Sequence, residues 1–351
     1  RSSINLEYYI LEDIETGGER LSDLLISKRR EGVTVNMLYD AYGSGDTPHA
    51  FFERLRAAGV RLLEFNPLDP LKARTPYAPN DRDHRKILIV DGAHAIVGGV
   101  NLSTKYQSNP IGKSSAPASD ANLPWRDTDI EIDGPAVADL QSLFLDHWRA
   151  QRGPQLDSAG FFPQLEHEGP AVVRVLGSAP NDKDWSYYAS ALSAIRNAEK
   201  SIELTAAYFV PTPDEMEALE HAAARGVDVR ILLPDHTDSD LATDVAHSRY
   251  EDLLEAGVKI FETHGVFLHS KTLVIDGVWS IVGSSNFDHR SVLFNDEVDV
   301  VVLGSATAKQ LHEIFESDLA KATRITPEAW ANRPLGEKID EYLARFTEAL
   351  L

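Results

Sequence analysis

At 351 residues the chain can hold two compact domains or one large two-lobed one, and its 43% hydrophobic and 25% charged content is ordinary for a globular protein. With 34 basic against 55 acidic side chains the net charge is −21, which repels nucleic-acid backbones and gives no general attraction to anionic lipid. The absence of cysteine removes disulfides and thiolate metal sites, and no stretch reaches the roughly 18 apolar residues of a bilayer span.

In chain order, Ser3-Ile4-Asn5-Leu6-Glu7 reads as a strand running into Tyr8-Tyr9. A helical segment ending in Lys28-Arg29-Arg30 follows, and Gly32-Val33-Thr34-Val35 enters a second strand. The stretch HAFFERLRAAGV (49–60) reads as a helix with its glycine stop, and HRKILIVDG (84–92) as a strand closed by an Asp-Gly turn. Ile96 to Asn101 returns, a Gly/Pro-rich loop covers 109–124, and WRDTDIEID (125–133) is a further strand.

The same series then recurs. Ser201-Ile202-Glu203-Leu204-Thr205 leads into Tyr208-Phe209, Gly226-Val227-Asp228-Val229 follows, and HSRYEDLLEAGV (247–258) aligns without a gap on the earlier helix. HSKTLVIDG (269–277), Ile281 to Asn286 and FNDEVDVVV (294–302) complete the duplicate. The expectation is an α/β protein of two similar lobes related by a pseudo-twofold axis, each a central mixed sheet flanked by helices. The predicted divisions are 1–152 and 171–326 for the lobes, 153–170 for a linker and 327–351 for a C-terminal helical segment. A helix at about 185–199 precedes the second lobe's first strand, so the first lobe is expected to lack one N-terminal helix.

Residues two apart on a strand share a face, so His84 points with Lys86, and His269 with Lys271. Asp91 and Asp276 lie at an odd offset from their histidines and read as structural turn residues. A tight turn centred at Gly92-Ala93 would bring Asn101 beside His84, and one at Gly277-Val278 would bring Asn286 beside His269. Small residues at Gly98-Gly99 and Gly283-Ser284 would leave room for a ligand, which makes Gly99 and Ser284 candidate substrate-binding positions.

Two imidazoles, two ammonium groups and two amides around one cavity suit an anion with several oxygens. Paired lysines select phosphate and disfavour a divalent metal, so no metal and no cofactor are expected. One neutral imidazole can attack phosphorus while the other, protonated, donates to the leaving alkoxide. Lysines and asparagines would stabilise the charged equatorial oxygens. A nucleophilic imidazole also needs a carboxylate on its second nitrogen. Aligning the acid-x-Asp patterns of 125–133 and 294–302 selects Asp127 and Glu297 for that role.

H-x-K-x4-D followed by G-G/S-x-N, occurring twice with the same 17-residue His-to-Asn spacing, resembles the phospholipase D superfamily with its paired HKD motifs. YFVPTPDEMEALEHAAARGVDVRILLP and FLHSKTLVIDGVWSIVGSSNFDHRS look most like bacterial cardiolipin synthases. The resemblance implies metal-independent phosphatidyl transfer between phospholipids through a phosphohistidine on His84, with His269 as acid then base. Lys86, Lys271, Asn101 and Asn286 would bind phosphate. It further implies a phospholipid partner such as phosphatidylglycerol and work at a bacterial membrane surface; the net charge of −21 argues for no nucleic-acid partner, and two halves contributing to one site suit a monomer. Attachment would be peripheral or through a segment outside this chain, with a secreted or periplasmic place left open. Hydrolysis to phosphatidic acid is the alternative, ahead of a nuclease-type phosphodiesterase or a non-catalytic lipid-binding module.

Several further residues invite two readings. His49 and His247 would cap helices or touch a headgroup; His94 and His289 lack counterparts in the other half. Arg290-Ser291 would hold an anionic headgroup or form a salt bridge. Phe161-Phe162, Leu68, Leu71, Tyr77 and Leu293-Phe294 are candidates for membrane contact or for plain packing.

Overall fold

A computed structural model describes residues 2–76, 78–106, 123–180 and 185–344; Tyr77 and nearly all of the 109–124 loop lie outside them. The first half builds a six-stranded sheet in the order Asp129–Asp133, His94–Gly98, Lys86–Val90, Ser3–Tyr8, Thr34–Asp40 and Arg61–Phe65. The second half repeats that order with Asn295–Leu303, Trp279–Gly283, Thr272–Ile275, Ser201–Thr205, Asp228–Pro234 and Lys259–Thr263. It adds Val172–Ser178 at one edge and Ala322–Ile325 at the other. In both halves the central strand pairs parallel with the next strand of its own sheet in sequence and antiparallel with the strand at the end of the His-x-Lys motif. The duplication read from the sequence is therefore a duplication of topology.

The halves share a core. Ile87, Ile89 and Val97 of the first sheet and Phe144 and Trp148 of the helix Val137–Ala150 pack in one cluster with Val298, Val300 and Val302 of the second sheet. The 153–170 segment lies against the first lobe and is not a free connector. Phe161, a candidate for membrane contact or for packing, is 1% exposed and so packs, and its carbonyl sits where a side chain on Gly92 would have to go. Burying that ring satisfies the hydrophobic demand that an exposed linker position would leave open.

Both Asp-Gly turns place a non-glycine residue in the left-handed region, Asp91 at φ 58° and Asp276 at φ 55°. Each carboxylate compensates by accepting backbone N–H groups at the head of its lobe's central strand. Asp91 accepts from Ser2 (2.6 Å) and Ser3 (3.0 Å); Asp276 accepts from Lys200 (2.7 Å) and Ser201 (3.0 Å). Burial pushes both carboxyls up, but these donors hold them below the usual range.

The turns are also longer than a two-residue hairpin. Val90 pairs with His94 and Ile275 with Trp279, which leaves three residues in each turn. The register is one residue away from the expected one, so continuing it would set Val100, not Asn101, opposite His84. A one-residue slip reverses every face, and strand pairing is therefore not what brings Asn101 and Asn286 to the histidines. Both amides reach the same cavity as the histidines after their strands have ended at Gly98 and Gly283.

Candidate active site

Each histidine is delivered just before a strand of its own lobe, and each is anchored to the other lobe. Arg82–Asp83 pairs parallel with Asn295–Asp296, and the His84 N–H donates to the Asp296 carbonyl at 2.9 Å. Reciprocally, Phe267–Leu268 pairs parallel with Trp125–Arg126, and the His269 N–H donates to the Arg126 carbonyl at 2.7 Å. The acids that follow those anchoring residues are Glu297 and Asp127. Their side chains reach the histidines of the opposite half: both Glu297 oxygens lie 3.0 Å from His84 Nδ1, and Asp127 Oδ2 lies 2.6 Å from His269 Nδ1.

A carboxylate only accepts, so the His84 Nδ1 carries the proton and its Nε2 keeps its lone pair; at His269 the Asp127 carboxylate, 2.6 Å from Nδ1, favours the same tautomer against the Lys271 ammonium 2.8 Å from that atom. Burial is the main influence on both rings. It lowers the His84 pKa, with Glu297 opposing, and together with the Lys271 charge it brings His269 down to about 3. Both imidazoles are neutral near pH 7. Burial likewise lowers Lys86 to about 7 and Lys271 to about 8. It pushes Glu297 and Asp127 upward, yet the neighbouring His84 and Lys86, and Lys271 and His269, hold those carboxyls below their usual range.

The two acids are supported unequally. Glu297 accepts from Ser284 Oγ (2.5 Å) and Asn295 Nδ2 (3.0 Å). Asp127 accepts from the Tyr106 hydroxyl (3.1 Å), which also lies 3.2 Å from His269 Nδ1, and from the Thr128 N–H (2.8 Å). Trp125 packs on His269 with ring centroids 4.8 Å apart, and Tyr9 meets His84 edge-on at 5.1 Å. Tyr106, Trp125, Asn295 and Tyr9 escaped the sequence reading. Tyr9, Trp125 and Asn295 lie inside quoted stretches, and aligning Asp127 on Glu297 pairs Trp125 with Asn295; Tyr106 has no counterpart that the duplication exposes.

His84, His269, Asn101 and Asn286 border one cavity of about 830 Å³. Lys86 and Lys271 lie beneath its wall, where each ammonium donates to the carbonyl of its own motif histidine. Gly99 and Ser284 do not line it, contrary to expectation. A side chain on Gly99 would collide with the Asp127 carboxylate (2.1 Å from the ideal Cβ to Oδ1), one on Gly283 with Asp299, and the Ser284 hydroxyl is bonded to Glu297. These small residues make room for acids, not for a ligand.

Among the described residues two His/Asp/Glu groups are close enough to hold a cation: buried Glu7, Asp83 and His147, and partly exposed Glu203, His312 and Glu316. Neither is part of the cavity wall. Arg85, between the motif His and Lys, ion-pairs with Glu7 of the first group (3.4 Å) and with Asp296 (3.6 Å). His49 begins a helix whose cap position is Pro48, and His247 ends one and bonds Glu262 at 3.1 Å, so neither caps.

A family model described as "Cardiolipin synthase, PLD-like domain" matches residues 191–319. The chain is 37% identical over 354 aligned residues to a cardiolipin synthase of Geobacillus kaustophilus (strain HTA426), covering 99% of this chain and 67% of that one. It is 34% identical over 353 residues to cardiolipin synthase 2 of Bacillus anthracis, covering 99% and 66%. Among solved structures it resembles the phosphatidylserine synthase of Haemophilus influenzae Rd KW20, with a TM-score of 0.69 at 11% identity over 99% of this chain and 88% of that one. The polyphosphate kinase of Porphyromonas gingivalis matches at a TM-score of 0.56 and 12% identity, over 100% and 49%. At those identities the two structures speak for the fold alone.

Proposed function

Since this chain belongs to the cardiolipin synthase family of phospholipase D-like proteins, we propose that it moves a phosphatidyl group from one phospholipid to the headgroup hydroxyl of another, most simply phosphatidylglycerol. The observation that carries this reading is the crossed pair: two neutral imidazoles facing one cavity, each oriented by a buried carboxylate from the other half. In the first step His84 Nε2 attacks phosphorus, a P–N bond forms, and the P–O bond to the leaving headgroup breaks. His269, which takes up a proton at Nε2 as the anionic phosphodiester binds, gives that proton to the alkoxide. In the second step His269 takes the proton of the acceptor hydroxyl, whose oxygen displaces His84. Lys86 and Lys271, beneath the site, hold the phosphate oxygens, with Asn101 and Asn286 on the wall.

With its pKa held down to about 3 by burial and Lys271, His269 is by itself a poor acid, and those electrostatics alone would favour the reverse assignment. The bound phosphodiester changes this, because its negative charge offsets Lys271, the strongest cationic influence on that ring. His84 is the better seat for a lasting cationic phosphohistidine because both oxygens of the fully buried Glu297 face its Nδ1.

Incubating the protein with phosphatidylglycerol vesicles in EDTA tests the reading. Cardiolipin and glycerol are expected; phosphatidic acid as the product would mean that water is the acceptor, and no turnover on any phospholipid would sink both. The net charge of −21 argues against a nucleic-acid substrate. A pH profile follows from the lysines, which bind phosphate only when protonated. kcat/KM, which reports the free enzyme, should fall as pH rises through about 7 to 8. The same limb in kcat should lie at higher pH, because bound phosphate favours the ammonium form.

Membrane contact is proposed through the rim of the cavity. Leu68 lines it and is 56% exposed, Leu71 on the adjoining turn is 95% exposed, and Leu293 is also exposed. An acidic surface leaves apolar insertion as the means of attachment. Leu71→Ser should lower turnover on vesicles several-fold and leave turnover on detergent-dispersed substrate unchanged; an equal loss in both would remove Leu71 from the contact. One chain carries both imidazoles and both acids, so a monomer is a complete site.

A further inference from the structure

The transfer proposed above brings two phosphodiesters together, and the paired lysines serve only the one that reacts. The acceptor lipid carries its own phosphate, one glycerol length from its attacking hydroxyl, and that anion needs a counter-charge inside the same cavity.

Two guanidinium groups, one from each half, stand on its wall. They are fixed by consecutive carbonyls of one turn: Arg82 donates to the Pro79 carbonyl, and Arg290 Nη2 donates to the Asn80 carbonyl at 3.1 Å. The backbone joins them again, since the Arg82 N–H donates to the Phe294 carbonyl just beyond the short helix His289–Leu293 that carries Arg290. Both sit near Tyr9, whose hydroxyl feels each as a positive charge, and the Tyr9 ring meets His84 at 5.1 Å. The guanidinium pair is thus one aromatic ring away from the imidazole assigned to attack.

Neither arginine is fully used by the fold. The Asp40 carboxylate lies 3.5 Å from Arg82 Nη1, beyond a good hydrogen bond, and that carboxylate already accepts N–H groups from Tyr42, Gly43 and Asp83. Arg82 Nη1 makes no hydrogen bond. Arg290 is half-buried. Planar guanidinium forks match phosphate oxygens bidentately, which a lysine cannot do.

We propose that Arg82 and Arg290 form a second phosphate subsite in the cavity, which holds the phosphodiester of the acceptor lipid while its hydroxyl reaches the phosphohistidine. This rests on the transferase reading of the site, but its anion-binding part can be measured apart from it.

Titration with inorganic phosphate should give two sites per chain, and Arg290→Gln or Arg82→Lys should weaken one of them at least tenfold. Arg290→Gln alters a half-buried side chain and Arg82→Lys keeps the charge, so the question survives if either variant folds poorly. In transfer assays the ratio of product formed on phosphatidylglycerol to product formed on a phosphate-free monoacylglycerol should drop at least tenfold in Arg290→Gln. A single phosphate site in the unaltered protein, or equal losses on both acceptors, would overturn the subsite. A chain that shows both phosphate sites but transfers to no acceptor would retain the subsite and defeat the transferase reading.

Discussion

His84→Ala should form no phosphoenzyme and lose at least about 10⁴-fold in turnover, since nucleophile and orienting acid act as one unit. Glu297 would keep Ser284 and Asn295 as partners, so the variant should fold. His269→Ala should behave differently. With a donor whose leaving group needs no proton, the phosphoenzyme should accumulate and then turn over about 10²- to 10⁴-fold slowly, because the acceptor hydroxyl has lost its base. Rapid quench of labelled donor separates the two variants. Label trapped on His269 in the unaltered protein would reverse the assignment.

Glu297→Gln should cost about 10³- to 10⁴-fold in kcat, comparable to loss of the orienting acid in other imidazole-based sites. The amide can donate to Nδ1, which moves the proton to Nε2 and removes the attacking lone pair. A merely structural role would not also move the pH profile. Glu297 is the strongest group favouring the Lys86 ammonium against burial, so its removal should lower that pKa below about 7 and shift the alkaline limb of kcat/KM to lower pH. Asp127→Asn should act through His269 and Lys271 in the same way, which ties each half's motif to an acid in the other. A variant with normal stability, lost activity and an unmoved alkaline limb would count against this coupling.

Much of the architecture could be read along the chain. The repeated His-x-Lys strands, their Asp-Gly turns and the glycine-stopped helices are local patterns whose physics is a two-residue strand period and turn chemistry. Duplication of these patterns makes the two sheets equivalent at the level of sequence. Turn length was not legible, since Asp-Gly suits two- and three-residue connections alike and the difference of one residue reverses a face. Smallness at Gly99 and Ser284 suggests ligand space, but smallness in a sequence does not say which neighbour it accommodates.

The sequence by itself determined which groups exist in duplicate: two imidazoles, two ammoniums and two amides at matching offsets, and two strand acids in matching acid-x-Asp patterns. Only the tertiary structure decided that the acids cross over, so that Glu297 serves His84 and Asp127 serves His269. It also decided that the lysines lie beneath the cavity wall with lowered pKa values and that Arg82 and Arg290 share one turn. The reason is that the spacing of residues along a strand is covalent and local. Partner choice between halves, and the loss of water that shifts every pKa in the site, arise only when the two sheets pack against a common core.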